Sequence, residues 1–347
     1  MKSSLQHILF AAMLSASGGA LADDLLETFR AAQANDPVFA AARAARNAGL
    51  EKLPQGRSTL LPSVNLTANS TFNDQTSIYE GTSPFAGNNR FNSHGYGVNL
   101  VQPLFRQQNW LAYTESELQT AQAEAQFRIA EQDLVLRVAQ AYFDVLIAQD
   151  SVQLAEAQKT AISGQLEQAK RNFEVGSATI TDTLEAQARF DLTSAQQLAV
   201  QNDLEIKRRA LQQLINVIPQ EIKPLGKDFK LEAPQPADME KWVSDALLHN
   251  PQLAIARAAA ELSEKEVARN RGGHYPTLDL VANYTKNQSN GGSFGANETT
   301  NKSVGVQLNM PLFQGGVVNS RWREAEANRE RARQELENAS RSVETQT

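Results

Sequence analysis

Four stretches of this sequence alternate apolar and polar residues with a period of two, and four such strands are too few to close a sheet on itself. Val64, Leu66, Ala68 and Ser70 alternate with Asn65, Thr67, Asn69 and Thr71. Tyr96, Val98 and Leu100 alternate with Gly97, Asn99 and Val101, and Leu278, Leu280, Ala282 and Tyr284 with Asp279, Val281, Asn283 and Thr285. In the fourth, Val306, Leu308 and Met310 alternate with Gln307 and Asn309. This is the pattern of strands with two unlike faces. The segments joining each pair, Asn73–Ser93 and Asn287–Lys302, are polar and rich in Gly, Asn and Ser, and read as long loops. Loops of that length are uncommon inside compact domains and ordinary on the external side of outer-membrane barrels. An open sheet in hydrocarbon leaves unpaired backbone edges, and the smallest closed barrels have about eight strands. The strands therefore demand more than one polypeptide, and three copies would supply about twelve.

The N-terminus agrees with export. Lys2 precedes an apolar run from Ile8 to Leu14, and Ala20-Leu21-Ala22 is a small-x-small cleavage site, so residues 1–22 read as a signal peptide. There is no cysteine, which excludes disulfides, thiol catalysis and a lipid-bearing N-terminal cysteine. No later segment approaches eighteen consecutive apolar residues. A net charge of −6 gives no electrostatic case for nucleic acid.

Between Leu104 and Ile218 there is no proline. Within that span Leu134, Ala141, Ala148, Ala155, Ile162 and Ala169 recur every seven residues, and so do Val138, Val145, Val152, Lys159, Leu166 and Phe173. Such a seam predicts a coiled-coil helix from about Gln108 to Val175, roughly 100 Å long. Gly176 is placed to end it, and Thr179 or Thr181 can cap a return helix over about 180–217 with Asp182 in its first turn. The apolar stripe expected on that helix is Leu184, Ala188, Leu192, Ala195, Ala199, Ile206 and Ala210. A proline-rich connecting subdomain follows over 219–250, with a possible short strand and a helix near Ala237–His249. Asn250-Pro251 opens a further helix, to about Arg271.

The sequence repeats itself. Setting Pro37 on Pro251 aligns the two segments without a gap through Pro62 on Pro276, and GVNLVQPLF (Gly97–Phe105) matches GVQLNMPLF (Gly305–Phe313). The first repeat covers 23–218, with a strand pair at 62–104 and a helical hairpin at 106–217. The second covers 251–347, with a strand pair at 276–312 and a long helix that stops at Thr347, before a second turn. Pro62, Pro103, Pro276 and Pro311, with Gly315 and Gly316, mark joints where strands give way to helices.

No nucleophile–base pair or paired catalytic carboxylates can be read, so an enzyme is not expected. His7, His94, His249 and His274 are too scattered for a metal site, and no cofactor is expected. The matched Arg43 and Arg257 suggest a repeated surface or inter-helix ion pair. Asp182 reads first as ordinary helix N-terminal charge and second as a gating residue.

The sequence resembles the TolC family of outer-membrane exit ducts. The resemblance rests on NDPVFAAARAARNAGLEKLPQGRSTLLPSVNL, AYFDVLIAQDSVQLAEAQKTAISGQLEQAKRNFEVGSATITD, HYPTLDL and MPLFQGGVVNSR, and runs from about Asp23 to Thr347. It implies an α+β membrane protein, the protomer of a trimeric 12-stranded outer-membrane barrel continued by a periplasmic α-helical coiled-coil barrel. It also implies a member truncated at its C-terminus, with the second repeat incomplete. The implied function is a passive conduit for type I secretion and multidrug efflux in the Gram-negative outer membrane. The implied partners are two further copies, a periplasmic adaptor, an inner-membrane ABC or RND transporter, and outer-membrane lipid. By the same resemblance Val175, Gly176 and Ser177 match the adaptor-contacting element of the helical tip, and Asp182 the acidic position that follows. The alternative is a soluble periplasmic coiled-coil adaptor or scaffold, whose β parts would be small globular domains without long external loops.

Overall fold

The structure, a computed structural model, describes residues 24–78, 81, 86–219, 222–224, 226, 235–292 and 295–347. The leader expected over 1–22 lies outside the described residues, as does much of the proline-rich stretch where a short strand is expected. In sequence order the elements are α1 (Leu25–Asn35), α2 (Pro37–Leu50), α3 (Lys52–Ser58), β1 (Ser63–Ser77), β2 (Gly87–Phe105), α4 (Gln107–Glu174), α5 (Ile180–Ile215), α6 (Met239–His249), α7 (Pro251–Arg271), a 3-10 turn (Gly272–His274), β3 (Thr277–Ser289), β4 (Asn297–Asn309) and α8 (Val317–Gln346). They fall into two compact units, Met1–Ala44 with Phe127–Pro234 and Ala45–Gln126 with Gln235–Thr347.

The first unit is helical. Its core is the heptad seam of α4, where Leu134, Val138, Val145 and Ala148 are buried against Leu204, Leu211 and Ile215 of α5 and against Ala32 and Phe39. Tyr142 lies in the same core and donates its hydroxyl to the Lys223 carbonyl (2.6 Å), which satisfies the one polar atom it brings inside. The stripe expected on α5 is wrong in direction. Leu184, Leu192 and Ile206 are 62%, 71% and 56% exposed. The side turned toward α4 carries Thr183, Ala186, Gln187, Phe190, Ser194 and Gln197, all partly covered, with Lys159 donating to Gln197 at 2.8 Å. Among the described residues the more apolar side of α5 is thus left without a partner within the protomer.

Asp36 sits at the α1–α2 corner and is almost fully buried. One carboxylate oxygen accepts the Phe39 amide (3.1 Å) at the start of α2 and the Arg137 guanidinium (2.7 Å) from α4. Burial alone would raise its pKa. The Arg137 hydrogen bond, the Phe39 amide and the Arg137 charge outweigh that and hold it below the ordinary aspartate value. Among the described residues Arg43 and Arg257 make no ion pair of the kind expected. Each reaches back ten residues to a carbonyl near the end of the preceding helix, Arg43 to Gln33 (3.1 Å) and Arg257 to Leu247 (2.6 Å). This satisfies carbonyls that a helix terminus leaves free.

The second unit holds the sheet and the helices that adjoin it. The four strands are antiparallel in the order β1-β2-β3-β4, so β1 and β4 are both open edges. The hairpins are longer than the sequence suggests. Strand pairing continues to Ser77↔Gly87 and Ser289↔Asn297, so most of Asn73–Ser93 and Asn287–Lys302 is ladder rather than loop. Pro103 ends only one of the two β2 ladders. Pairing with β1 stops at Val101↔Ser63, while pairing with β3 passes Pro103↔Asp279 and a bulge to Phe105↔Leu278.

Close approach sets the packing of α3 and the end of α2 on α4. A Cβ at Gly56 would overlap the Ser116 side chain, and one at Gly49 would overlap the Ala123 Cβ. Gly56→Val should therefore push α3 away and lower stability by about 1–3 kcal/mol, the usual cost of overpacking. Gly164→Val meets open space in the structure and serves as the comparison. Equal urea midpoints for the two variants would contradict the close packing.

Candidate functional site

The sheet has one apolar and one polar face, and directly opposed residues share a face. Val64, Leu100, Ala282 and Val304 form one cross-strand row, and Leu66, Val98, Tyr284 and Lys302 the next toward the hairpin ends. Toward the helices Leu280 pairs with Val306 and Leu278 with Leu308. On the edge strands these side chains are exposed, Leu66 74% and Val304 76% open, and on the inner strands Leu100, Ala282, Tyr284, Leu280 and Leu278 are half-buried by their neighbours. A contiguous apolar surface of this kind marks a membrane or partner face. From Leu308 to Lys302 it spans about 20 Å along β4, and Met310 and Leu312, also exposed, extend it beyond the end of the strand. That is close to the ~25 Å apolar band of outer-membrane barrels. Among the described residues no helix is long and apolar enough to cross a membrane.

Charges on the apolar face collect at the hairpin ends: Asp74, Arg90, His94, Lys286, Glu298 and Lys302. Arg90 is paired with Asp74 at 2.9 Å and Lys286 with Glu298 at 2.7 Å. The ring of Tyr284 lies 6.4 Å from that of Tyr96, and the Lys302 ammonium sits 5.8 Å above Tyr284.

The opposite face is mostly polar and almost uncharged, with Val101, Val281 and Phe91 its apolar exceptions. It presents Asn65, Thr67 and Asn69 on β1, Gly97 and Asn99 on β2, Asn283 and Thr285 on β3, and Ser303, Gly305 and Gln307 on β4. Among the described strand residues of this face Asp279 is the one charge, and it is buried. Arg106, immediately after β2, donates to both of its oxygens, Nε to Oδ1 at 2.8 Å. This fork closes the joint between β2 and α4.

The two matched joints differ. β2 enters α4 almost directly, Phe105 to Gln107, whereas β4 ends at Asn309 and α8 begins at Val317. Pro311 lies in that gap, and Gly315 and Gly316 take φ of 62° and 82°, a left-handed backbone that favours glycine. Pro62 and Pro276 immediately precede β1 and β3, and Pro103 lies within β2 beside the bulge. The repeat puts Gln314 in place of Arg106 and Asn65 in place of Asp279, so the second joint has no charge fork.

The α4–α5 turn belongs to the first unit. Gly176 adopts φ 77°, and the amides of Gly176 and Ser177 return to the carbonyls of Phe173 (2.9 Å) and Asn172 (2.8 Å). Val175 is left 78% exposed at the bend. Asp182 and Thr179 form a capping box, the carboxylate accepting the Thr179 amide at 2.8 Å and its hydroxyl at 2.8 Å. Those bonds, the amide first, lower the Asp182 pKa. Asp182 is thus engaged as a cap, and Val175 is the side chain the turn offers outward.

Sequence reasoning did not reach Asp36–Arg137, Arg106–Asp279 or Glu115–Arg269. In the last, the Arg269 Nε lies 2.9 Å from the buried Glu115 carboxylate without hydrogen-bond alignment, and burial raises the Glu115 pKa. Only the repeat offered a signal: Asp36 matches Asn250, which caps α7 through the Gln252 amide at 2.8 Å.

Comparison with known proteins accords with this geometry. Residues 29–217 and 242–346 match the family described as outer membrane efflux protein. The sequence is 32% identical over 348 residues to outer membrane protein TolC of Vibrio cholerae, covering 99% of this protein and 77% of the relative. It is 34% identical over 334 residues to the alkaline protease secretion protein AprF of Pseudomonas aeruginosa, covering 93% and 68%. In fold it is similar to the CmeC outer membrane channel of Campylobacter jejuni, with a TM-score of 0.76 at 17% identity, over 91% of this protein and 67% of that one. The protein belongs to the outer membrane efflux protein family, and is a non-enzymatic channel subunit of the Gram-negative outer membrane, of the efflux and type I secretion class.

Proposed function

We propose that three copies of this protein close a twelve-stranded barrel, with the apolar faces on lipid, the polar faces lining the lumen and the hairpin ends outside the cell. The observation that carries this is the four-stranded sheet with two unlike faces and two open edges. The internal repeat supplies the register of the missing seam. Carrying each β2 residue onto its β4 match and each β3 residue onto its β1 match turns the observed pair Asn99↔Asn283 into Gln307↔Asn69 of the next copy. The same mapping sets Leu308 opposite Ala68 and Gly305 opposite Thr71 of the next copy.

The joints then divide the labour between residues. Pro62, Pro103, Pro276 and Pro311 limit pairing where strands meet helices, and Gly315-Gly316 let the backbone turn into α8. We assign residues 1–22 as leader, 23–218 and 251–347 as the two repeats, and 219–250 as the connecting subdomain. The α4–α5 turn is the docking tip: Val175, Gly176 and Ser177 meet a periplasmic adaptor, and Asp182 keeps the start of α5 rigid beside them. An inner-membrane transporter of the ABC or RND type supplies the energy, and the channel conducts passively. The names of the relatives, two of them protease secretion proteins and one an outer membrane efflux protein, support cargo of both classes.

Cysteine cross-linking tests the seam. Asn69→Cys combined with Gln307→Cys, oxidised in isolated outer membranes, should give covalent dimers and trimers. Thr67→Cys with Gln307→Cys, one lumen-facing position out of register, should give far fewer. Abundant linkage in the out-of-register pair, or none in either, would refute the proposed closure.

A further inference from the structure

We infer that the apolar face carries a site for an acyl lipid bearing a phosphate headgroup, placed where Lys302 caps a groove in the sheet surface. The groove has a volume of about 340 Å³ and is lined on this face by Val98, Leu100, Ala282, Tyr284, Lys302 and Val304. Its floor is aliphatic, which suits a hydrocarbon tail lying along the strands. Its hairpin end is closed by an aromatic ring and an ammonium, which suits the ester-linked anionic end of the same molecule.

Charge complementarity selects the headgroup. The other cationic side chains of Arg and Lys on this face are already neutralised: Arg90 by Asp74 and Lys286 by Glu298. Lys302 has no carboxylate within ion-pair distance among the described residues, and its neighbour is the Tyr284 ring. A ring face stabilises the ammonium while leaving its N–H donors available. The Tyr96 and Tyr284 rings stand beside it, where aromatic side chains mark the interface of a bilayer. A phosphate at this level meets one free ammonium, while its acyl tail occupies the groove toward Leu100 and Val304. Glu298 opposes the site by holding Lys286, whose side chain lies one cross-strand row further toward the hairpin end.

The inference rests on the orientation proposed above, with hairpin ends outward, which makes the lipid one of the outer leaflet. The cross-linking experiment tests barrel closure independently, so the two can fail separately. Native mass spectrometry of the full-length protein in detergent, titrated with a bisphosphorylated acyl disaccharide, reads the site. Wild-type protein should retain the lipid, Lys302→Gln should bind it about fivefold more weakly, and Lys302→Arg should restore it. Glu298→Gln, which frees Lys286, should bind it more tightly than wild type. The dephosphorylated lipid should bind wild type no better than the phosphorylated lipid binds Lys302→Gln. Equal retention of the two lipids, or no loss in Lys302→Gln, would overturn the site. Displacement of the lipid by inorganic phosphate at millimolar concentration would make it a free-anion site and overturn it too.

Discussion

Replacing Val304 by arginine is expected to abolish stable assembly in the outer membrane. Val304 sits on the apolar face of β4, opposite Ala282 and within the band that runs from Leu308 to Lys302. An arginine on the lipid face of such a barrel costs about 2–4 kcal/mol at the bilayer midplane and about 0–1 kcal/mol near the interfaces; Val304 lies one row inside Lys302, so a cost between these limits would fall on each of the three proposed copies. Ser303, one residue earlier, lies on the polar face. Ser303→Arg puts the same side chain into water and should leave assembly within about twofold of wild type. The readout is the fraction of protein in outer membranes that resists urea extraction and shifts mobility on heating. Val304→Arg should lose at least about tenfold by this measure, the effect of ~1.4 kcal/mol. If both arginines were tolerated, or if Ser303→Arg were the damaging one, the assignment of faces would be reversed or void.

Asp36→Ala is expected to destabilise the helical unit by about 3–5 kcal/mol, the cost of breaking a buried ion pair from one side. The loss has two parts. Arg137 keeps only its exposed-side partner Asp133, and α2 loses the carboxylate that receives the Phe39 amide. Asp36→Asn separates them, because Asn250 shows that an amide caps the matched helix. That variant should lose the charge pair alone, about 1–2 kcal/mol. The pH dependence has a definite sign. The folded pKa of Asp36 is depressed, so its contribution is complete above the unfolded value of about 3.9 and disappears as pH falls through the folded value below it. Urea midpoints by circular dichroism, taken down from neutral pH, should converge for wild type and Asp36→Asn at the acid end. A constant gap between them at every pH would exclude the ion pair as the cause.

What could be read in advance follows from which interactions are local. The α4 seam was legible because Leu134, Val138, Val145 and Ala148 pack on a neighbour at a fixed helical period. The period-two segments were legible only where water and oil differ across the sheet. Asn73 to Ser77 are polar or charged on both faces, and Asn88 to Asn92 are so apart from Phe91, so they pair as strands without alternating. The α5 stripe misled for a related reason. Leu184, Leu192 and Ile206 form the more apolar side, but α4 is met by Phe190 among Thr, Ser and Gln side chains. Hydropathy identifies a surface that wants cover; it does not say which molecule provides the cover. Asp36–Arg137 and Arg106–Asp279 join residues far apart in sequence, and neither acid stands in a pattern that names its partner. Asp182 was the opposite case, since a capping box lies within four residues and the sequence alone displays it.

The polar side of the sheet has a consequence for traffic. Its side chains are mostly amides and hydroxyls, with Val101, Val281 and Phe91 as apolar exceptions, and among the described strand residues its single carboxylate is fastened by a guanidinium at the base. A corridor papered this way gives a passing polypeptide no fixed ion of either sign to stick to, and every hydrogen bond it lends can be exchanged for water at small net cost. Acidic and basic stretches of cargo would slip through it with similar ease, so any discrimination among substrates has to be exercised elsewhere along the route.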